Sequence, residues 1–109
     1  MNTPSLRQTK IAESLAHLAG DFIVRNANKD SLITVMRADV SPDLAQCTIF
    51  VSVLPEKFEQ KALAYLKRER SEFREYIKAK LRMKSLRGVE FELDYGEKNR
   101  QLIDTLTKK

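Results

Sequence analysis

The chain has 109 residues, of which 42% are hydrophobic and 32% are charged, and its formal net charge is +5 at pH 7. This length predicts one domain over residues 1–109, and the composition is unlike that of disordered or membrane-spanning chains. The sequence has no long apolar run, no secretory segment and only one cysteine, so we expect a protein of the reducing cytoplasm that does not enter membranes.

The first predicted element is a helix that begins at Thr3-Pro4 and ends at about Val24. Thr3 can cap the helix, and Pro4 already has the backbone angle of a first helical turn. Apolar side chains then recur every three or four residues, which marks one buried helical face. The main residues of this face are Ile11, Leu15, Leu18 and Phe22. The polar run over residues 26–31 predicts a loop after the helix.

Two strands follow, and a hairpin is the simplest way to join them. Residues 32–40 are rich in β-branched side chains. In residues 46–53, every second side chain from Cys47 to Val53 is apolar, and the side chains between them are mostly polar. Between the strands, residues 41–44 (Ser-Pro-Asp-Leu) predict a turn. The proline cannot donate a hydrogen bond to a neighbouring strand, and the aspartate can bond its own backbone.

A second helical region begins at Pro55. Its apolar face stops before residues 67–72, which contain no apolar side chain, and resumes at Phe73. We predict that residues 69–71 (Glu-Arg-Ser) interrupt the helix, so that two helices meet there at a bend. The alternative is one uninterrupted helix from Pro55 to about Met83.

The last strand begins at Gly88 and alternates apolar residues with acids. The apolar residues are Val89, Phe91, Leu93 and Tyr95, and the acids are Glu90, Glu92 and Asp94. We expect the acidic face to point away from any RNA. A short closing helix is predicted around residues 102–106.

The predicted order is therefore α-β-β-α-α-β with a short C-terminal helix. Three strands with all helices on one face would form a single two-layer α+β domain. We expect one core between the layers that contains Leu15, Val51, Ile77 and Phe91.

No residue pattern indicates catalysis, a metal site or a cofactor. His17 lies at the border of the first helical face, so we interpret it as a boundary residue rather than a catalytic base. Cys47 lies in the apolar register of its strand, which favours a small buried hydrophobe. The sequence has no Cys/His spacing typical of zinc sites and no glycine-rich phosphate loop.

The excess positive charge is concentrated between Tyr65 and Arg87, a segment that contains nine basic residues and only three acidic ones. The nine predicted binding residues are Lys67, Arg68, Arg70, Arg74, Lys78, Lys80, Arg82, Lys84 and Arg87. Like charges stand four residues apart four times in this segment, which costs about 0.2–0.5 kcal/mol per pair in an isolated helix. A surface that contacts only solvent would tend to alternate basic and acidic residues. We therefore interpret the segment as a binding surface for a polyanion.

One series within the segment would form a ridge along one side of a helix. This series, the basic ridge, is Arg70, Arg74, Lys78 and Arg82. Charge alone does not separate DNA from RNA as the partner. The element order, however, is that of type II KH domains, although the Gly-x-x-Gly clamp of KH proteins is missing between the central helices.

Several segments match the pattern of one family with this order and no clamp. They are residues 7–13 (Arg-x-x-Lys-Ile-Ala-Glu), 33–35 (Ile-Thr-Val), 40–44 (Val-Ser-Pro-Asp-Leu), 49–53 (Ile-Phe-Val-Ser-Val), 81–84 (Leu-Arg-Met-Lys), 91–94 and 103–106. In these segments the chain resembles the ribosome-binding factor A family of bacterial small-subunit maturation factors. It departs from that family at residues 69–71, where an Ala-x-Gly kink is usual, and at Arg87, where proline is common.

The resemblance implies a KH-like RNA-binding domain that binds the immature small ribosomal subunit and its rRNA. It further implies a monomer that assists late rRNA folding or processing, without a reaction or a cofactor of its own, and leaves when maturation GTPases act. Two alternatives stay open. One is a generic KH-like protein that binds single-stranded RNA or DNA, and the other is a module whose basic helix docks on an acidic protein or membrane surface.

Overall fold

Two long helices and three strands make up the part of the chain that the computed structural model describes, residues 5–26 and 31–94. The elements in chain order are α1 (Leu6–Asn26), β1 (Leu32–Val40), β2 (Gln46–Leu54), a 3-10 helix (Glu56–Phe58), α2 (Glu59–Leu81) and β3 (Gly88–Leu93). The predicted C-terminal helix, Tyr95 and most of the predicted loop over residues 26–31 lie outside the described residues.

Helix α1 begins with a reciprocal cap between Ser5 and Gln8. The Gln8 backbone N–H donates to Ser5 Oγ at 3.1 Å, and the Ser5 N–H donates to Gln8 Oε1 at 3.0 Å. This arrangement satisfies two backbone donors that a helix start leaves without partners. The predicted cap, Thr3-Pro4, lies outside the described residues, and Ser5 performs the capping.

The three strands form one sheet in the order β1-β2-β3. β1 and β2 pair antiparallel, which confirms the hairpin, and β2 pairs parallel with β3. An irregularity between Val35 and Arg37 adds a residue to β1. Because side chains alternate along a strand, this extra residue places both Val35 and Ala38 on the core side while Met36 stays exposed.

Both helices pack on one face of the sheet, α1 mainly against β1 and α2 mainly against β3. The four predicted core residues Leu15, Val51, Ile77 and Phe91 are each 0% exposed and belong to one cluster. Phe73 lies between them, with its ring 5.1 Å from that of Phe22 and 5.4 Å from that of Phe91. The two-layer α+β class with a three-stranded sheet is thus confirmed.

The predicted interruption at residues 69–71 is wrong, because α2 is one unbroken helix from Glu59 to Leu81. Leu66 and Phe73 are both fully buried, and their spacing of two helical turns puts them on the same face. Arg70 lies between them on the flank of that face. Its guanidinium contacts both carboxylate oxygens of Glu90 on β3, at 2.9 and 3.0 Å. An ion pair to the sheet therefore occupies the turn where the apolar residues are missing, and the order is α-β-β-α-β.

The two residues considered and set aside as catalytic groups have ordinary surroundings. The His17 side chain is 82% exposed and its Nε2 lies 3.9 Å from Asp21. Cys47 is buried, and burial raises the pKa of its thiol to about 12, so it stays protonated and unreactive at neutral pH.

Candidate nucleic-acid interface

The nine predicted binding residues all lie on α2 or on the connection from α2 to β3. Six of them occupy the helix, and Arg82, Lys84 and Arg87 occupy the connection. Within the helix, the residues at positions 67, 70, 74 and 78 follow one another at intervals of three or four. They therefore line one side of α2, the side that flanks β3.

Two of the three acids of the segment lie on the other side of α2. Glu69 and Glu72 share that side with Tyr76, whose ring is 5.7 Å from that of Phe22 on α1. A hydrogen bond from Glu72 raises the pKa of Glu69. The separation of charge is incomplete, because Glu75 contacts Arg74 of the basic side and the Lys80 ammonium lies 5.8 Å from the centre of the Tyr76 ring.

Arg70 is partly neutralised by Glu90, and both side chains are about half exposed. The sequence led us to expect that the acidic face of β3 points away from any RNA, but the structure brings one acid of that face, Glu90, beside a residue of the basic segment. β3 is an edge strand of the sheet, so an outward-facing side chain there can be reached by a long side chain on the flank of α2. The basic surface and the acidic strand therefore meet along this edge.

Arg74 holds the connection between α2 and β3. Its Nη1 donates to the backbone carbonyl of Arg87 at 3.1 Å, and its Nε lies 3.4 Å from Glu75 Oε2. The N–H of Arg87 in turn donates to the carbonyl of Ala45 at 2.8 Å. Arg74 thus has a structural role that its place in the basic ridge did not predict.

Four more of the predicted residues gather where α2 ends, and the described residues give none of these four an acidic partner. They are Lys78, Lys80, Arg82 and Lys84. Part of this charge has a folding reason, because cations in the last turn of a helix offset its carbonyl dipole. Arg82 follows the helix in the left-handed conformation, with φ 53° and ψ 41°, so it lies at the end of α2 and does not continue the ridge along it.

A basic residue from outside the segment lies at the same end of the molecule. Arg7 of α1 lines a cleft together with Arg82 and Lys84. Sequence reasoning missed it because it is far from the basic segment along the chain, and only the packing of α1 beside the end of α2 brings them together.

The described part of the chain shows neither a cluster of metal-ligating side chains nor a membrane-spanning helix. No group of three or more His, Cys, Asp or Glu side chains there could hold a metal ion. Neither described helix is long and apolar enough to cross a membrane.

The structure is a small two-layer α+β domain with a group of cations at the end of α2. Residues 7–107 match the family model for ribosome-binding factor A. The chain therefore belongs to the ribosome-binding factor A family.

Curated relatives agree with this assignment. The chain is 31% identical to ribosome-binding factor A of Chelativorans sp. (strain BNC1), over 98% of this chain and 84% of the relative. It is 29% identical to the factor of Roseobacter denitrificans, over 84% of this chain and 67% of the relative.

The crystal structure of ribosome-binding factor A from Thermus thermophilus has the same fold, with a TM-score of 0.66 and 22% identity over 77% of this chain and 92% of that one. A homology model of the Thermus thermophilus factor, fitted into a cryo-EM map of its complex with the 30S subunit, gives a TM-score of 0.65 and 23% identity over 76% and 90%.

Proposed function

We propose that this protein binds the immature small ribosomal subunit through its rRNA and assists late maturation and rRNA processing. Its family supports this proposal, as does its likeness in fold to a factor fitted into a complex with the 30S subunit. In this proposal the protein acts in the cytoplasm as a monomer, needs no cofactor, and leaves the subunit when maturation GTPases act.

The observation that carries the proposal is the group of cations at the end of α2 that have no acidic partner in the described residues. Arg70 and Arg74 already contact Glu90 and Glu75, so their charge is partly used within the fold. Lys78 and Lys80 are free of such pairs among the described side chains, and the Lys80 ammonium lies 5.8 Å from the centre of the Tyr76 ring. Helix-dipole stabilisation is worth about 0.3–1 kcal/mol per residue, and an RNA phosphate could replace the solvent around these ammonium groups without disturbing the fold.

The mechanism is one of binding and requires no covalent step. Lys and Arg contacts to phosphates fix the position of a protein on RNA but carry little sequence information. Sequence or shape selectivity would then come from the particular fold of the rRNA that fits this surface. Each phosphate contact releases counterions, so the affinity should fall steeply with salt, with a log–log slope of about −0.7 to −0.9 per contact.

A charge-removal variant tests this function. We expect Lys78→Gln combined with Lys80→Gln to weaken binding to purified immature small subunits about tenfold at physiological salt. The measurement is co-sedimentation of the full chain with subunits through a sucrose cushion, over a series of salt concentrations. Gln is preferred to Glu because it removes the attraction for phosphate without placing an acid at the helix end.

The matched control removes two charges elsewhere, with Lys10→Gln and Lys57→Gln, and should retain nearly parental binding. Equal losses in both double variants would mean that only net charge matters and that α2 is not the binding surface. If the parent binds single-stranded RNA but never sediments with small subunits, the protein is a generic nucleic-acid binder and the ribosomal proposal is wrong.

A further inference from the structure

A cleft lies between the start of α1 and the end of α2, and three cations line it. They are Arg7 of α1 and Arg82 and Lys84 of the connection, with the hydroxyl of Ser85 beside them. Apolar side chains, among them Leu44 and Met83, form the rest of the lining. We call this feature the α1–α2 cleft.

Buried residues hold the backbone of the cleft in place. Met83 and Leu86 are 6% and 2% exposed, and the Leu86 N–H donates to the Met83 carbonyl at 3.2 Å. This turn fixes the chain on both sides of Lys84, and the Lys84 N–H contacts the carbonyl of Arg82, also at 3.2 Å. The cations therefore project from an anchored turn and not from a free loop.

The opposite wall is equally well supported. Arg7 lies one helical turn before Ile11, which is half-buried against the core. Leu44, in the turn of the hairpin, has a φ of 61° and is 8% exposed. Three separate parts of the chain thus meet at the cleft, and each is anchored by at least one apolar side chain.

The charge of the α1–α2 cleft is not cancelled within the described part of the protein. No acid lines it, and neither Arg7, Arg82 nor Lys84 makes an ion pair with a described residue. Other arginines of the chain behave differently, because Arg37 and Arg70 each contact a carboxylate within 3 Å. Cations that converge on a concave surface without a counter-charge attract anions, and guanidinium groups are suited to the oxygens of a phosphate.

We propose that the α1–α2 cleft binds a phosphate of the RNA backbone, with Arg7 and Arg82 as hydrogen-bond donors and Lys84 as a point charge. This inference rests on the proposed function and adds a residue of α1 to a surface that otherwise belongs to α2 and its connection to β3. The RNA would then cross the end of the molecule from α2 to α1. The backbone phosphate of RNA and a free phosphate ion share the chemistry that this cleft recognises, so the test separates the two.

The first arm of the test is a salt series with purified small subunits and the full chain carrying Arg7→Gln. Loss of one phosphate contact should weaken binding on the order of fivefold at low salt and reduce the log–log salt slope by about 0.7–0.9. The matched control is Lys10→Gln, which removes the same charge from the same helix three residues away and outside the cleft lining. We expect the control to keep the parental slope. An Arg7→Gln variant with the parental slope and affinity would overturn the proposal.

The second arm does not depend on ribosomes and remains informative if the parent fails to bind subunits. A short single-stranded oligoribonucleotide is titrated into the isotope-labelled protein, and the amide NMR signals of residues 82–85 are followed. We expect these signals to shift in the parent and in Lys10→Gln, and not in Arg7→Gln. Unmoved signals in the parent would contradict the proposal. Equal shifts with inorganic phosphate at the same phosphate concentration would assign the cleft to a free anion and overturn its assignment to RNA.

Discussion

At the scale of single residues, Arg74 illustrates how a basic residue in a binding segment can also stabilise the fold. Its guanidinium bonds the carbonyl of Arg87 and so connects the last part of α2 to the start of β3. Lys78, one turn later on the same side, has no such contact among the described residues. The two residues look equivalent in the sequence, but only one of them is tied to another backbone segment.

We expect Arg74→Gln to lower the free energy of unfolding by about 0.5–1.5 kcal/mol, the usual net contribution of one intramolecular hydrogen bond. Lys78→Gln should change it by less than about 0.5 kcal/mol, as for an ordinary surface position. Urea denaturation of both variants measures the difference. Equal losses would show that the bond to Arg87 contributes nothing to stability.

At the scale of elements, the continuity of α2 is the main departure from expectation. The residues without apolar side chains cover less than two turns, and buried residues lie on both sides at Leu66 and Phe73. Because these two anchors lie on the same face, the intervening turn needs no apolar residue to stay helical. Its exposed side carries Ser71, a residue with an acceptable helix propensity.

Ser71→Gly tests whether the helix is continuous in solution. Glycine in a helix interior is about 0.5–1 kcal/mol less favourable than most residues, because it loses more backbone freedom on folding. We expect a loss of this size in unfolding free energy, measured by thermal or urea denaturation. Ser71→Ala, at the same position, is the matched control and should be neutral or slightly stabilising, because alanine is the most favourable residue in a helix. A neutral Ser71→Gly would instead indicate the bend that the sequence suggested.

At the scale of the whole molecule, one core joins the two layers. Leu15 from α1 and Ile77 from α2 are both 0% exposed and belong to the same cluster as the inner residues of the sheet. This core fixes where α1 lies relative to α2. The placement of Arg7 beside the cations at the end of α2 therefore depends on it. Positions of the two helices on the sheet therefore decide the geometry of the α1–α2 cleft.

Truncation of either core residue should destabilise the entire domain. We expect Leu15→Ala and Ile77→Ala each to lower the free energy of unfolding by about 2–5 kcal/mol, from lost burial and from the cavity that is left. Leu6→Ala is the matched control, since Leu6 is 71% exposed and should cost little. Losses below about 0.5 kcal/mol at both core positions would mean that the two helices do not share this core.

Local sequence patterns were enough to predict the strands, the hairpin, the first helix and most of the core residues, because apolar side chains repeat every two residues in a strand and every three or four in a helix. Leu18 is the exception on α1, since it is only half-buried and lies outside the core cluster. Val89 and Phe91, for example, are buried as their period of two predicts. The same logic failed at residues 69–71, where an arginine bound to Glu90 takes the place of an apolar contact. A charge pair of this kind forms only where two elements that are far apart in the sequence lie side by side in the fold. The packing of the helices on the sheet therefore decides that Arg70 meets Glu90, that Arg74 meets the carbonyl of Arg87, and that Arg7 lies near Arg82. No local pattern predicts these contacts.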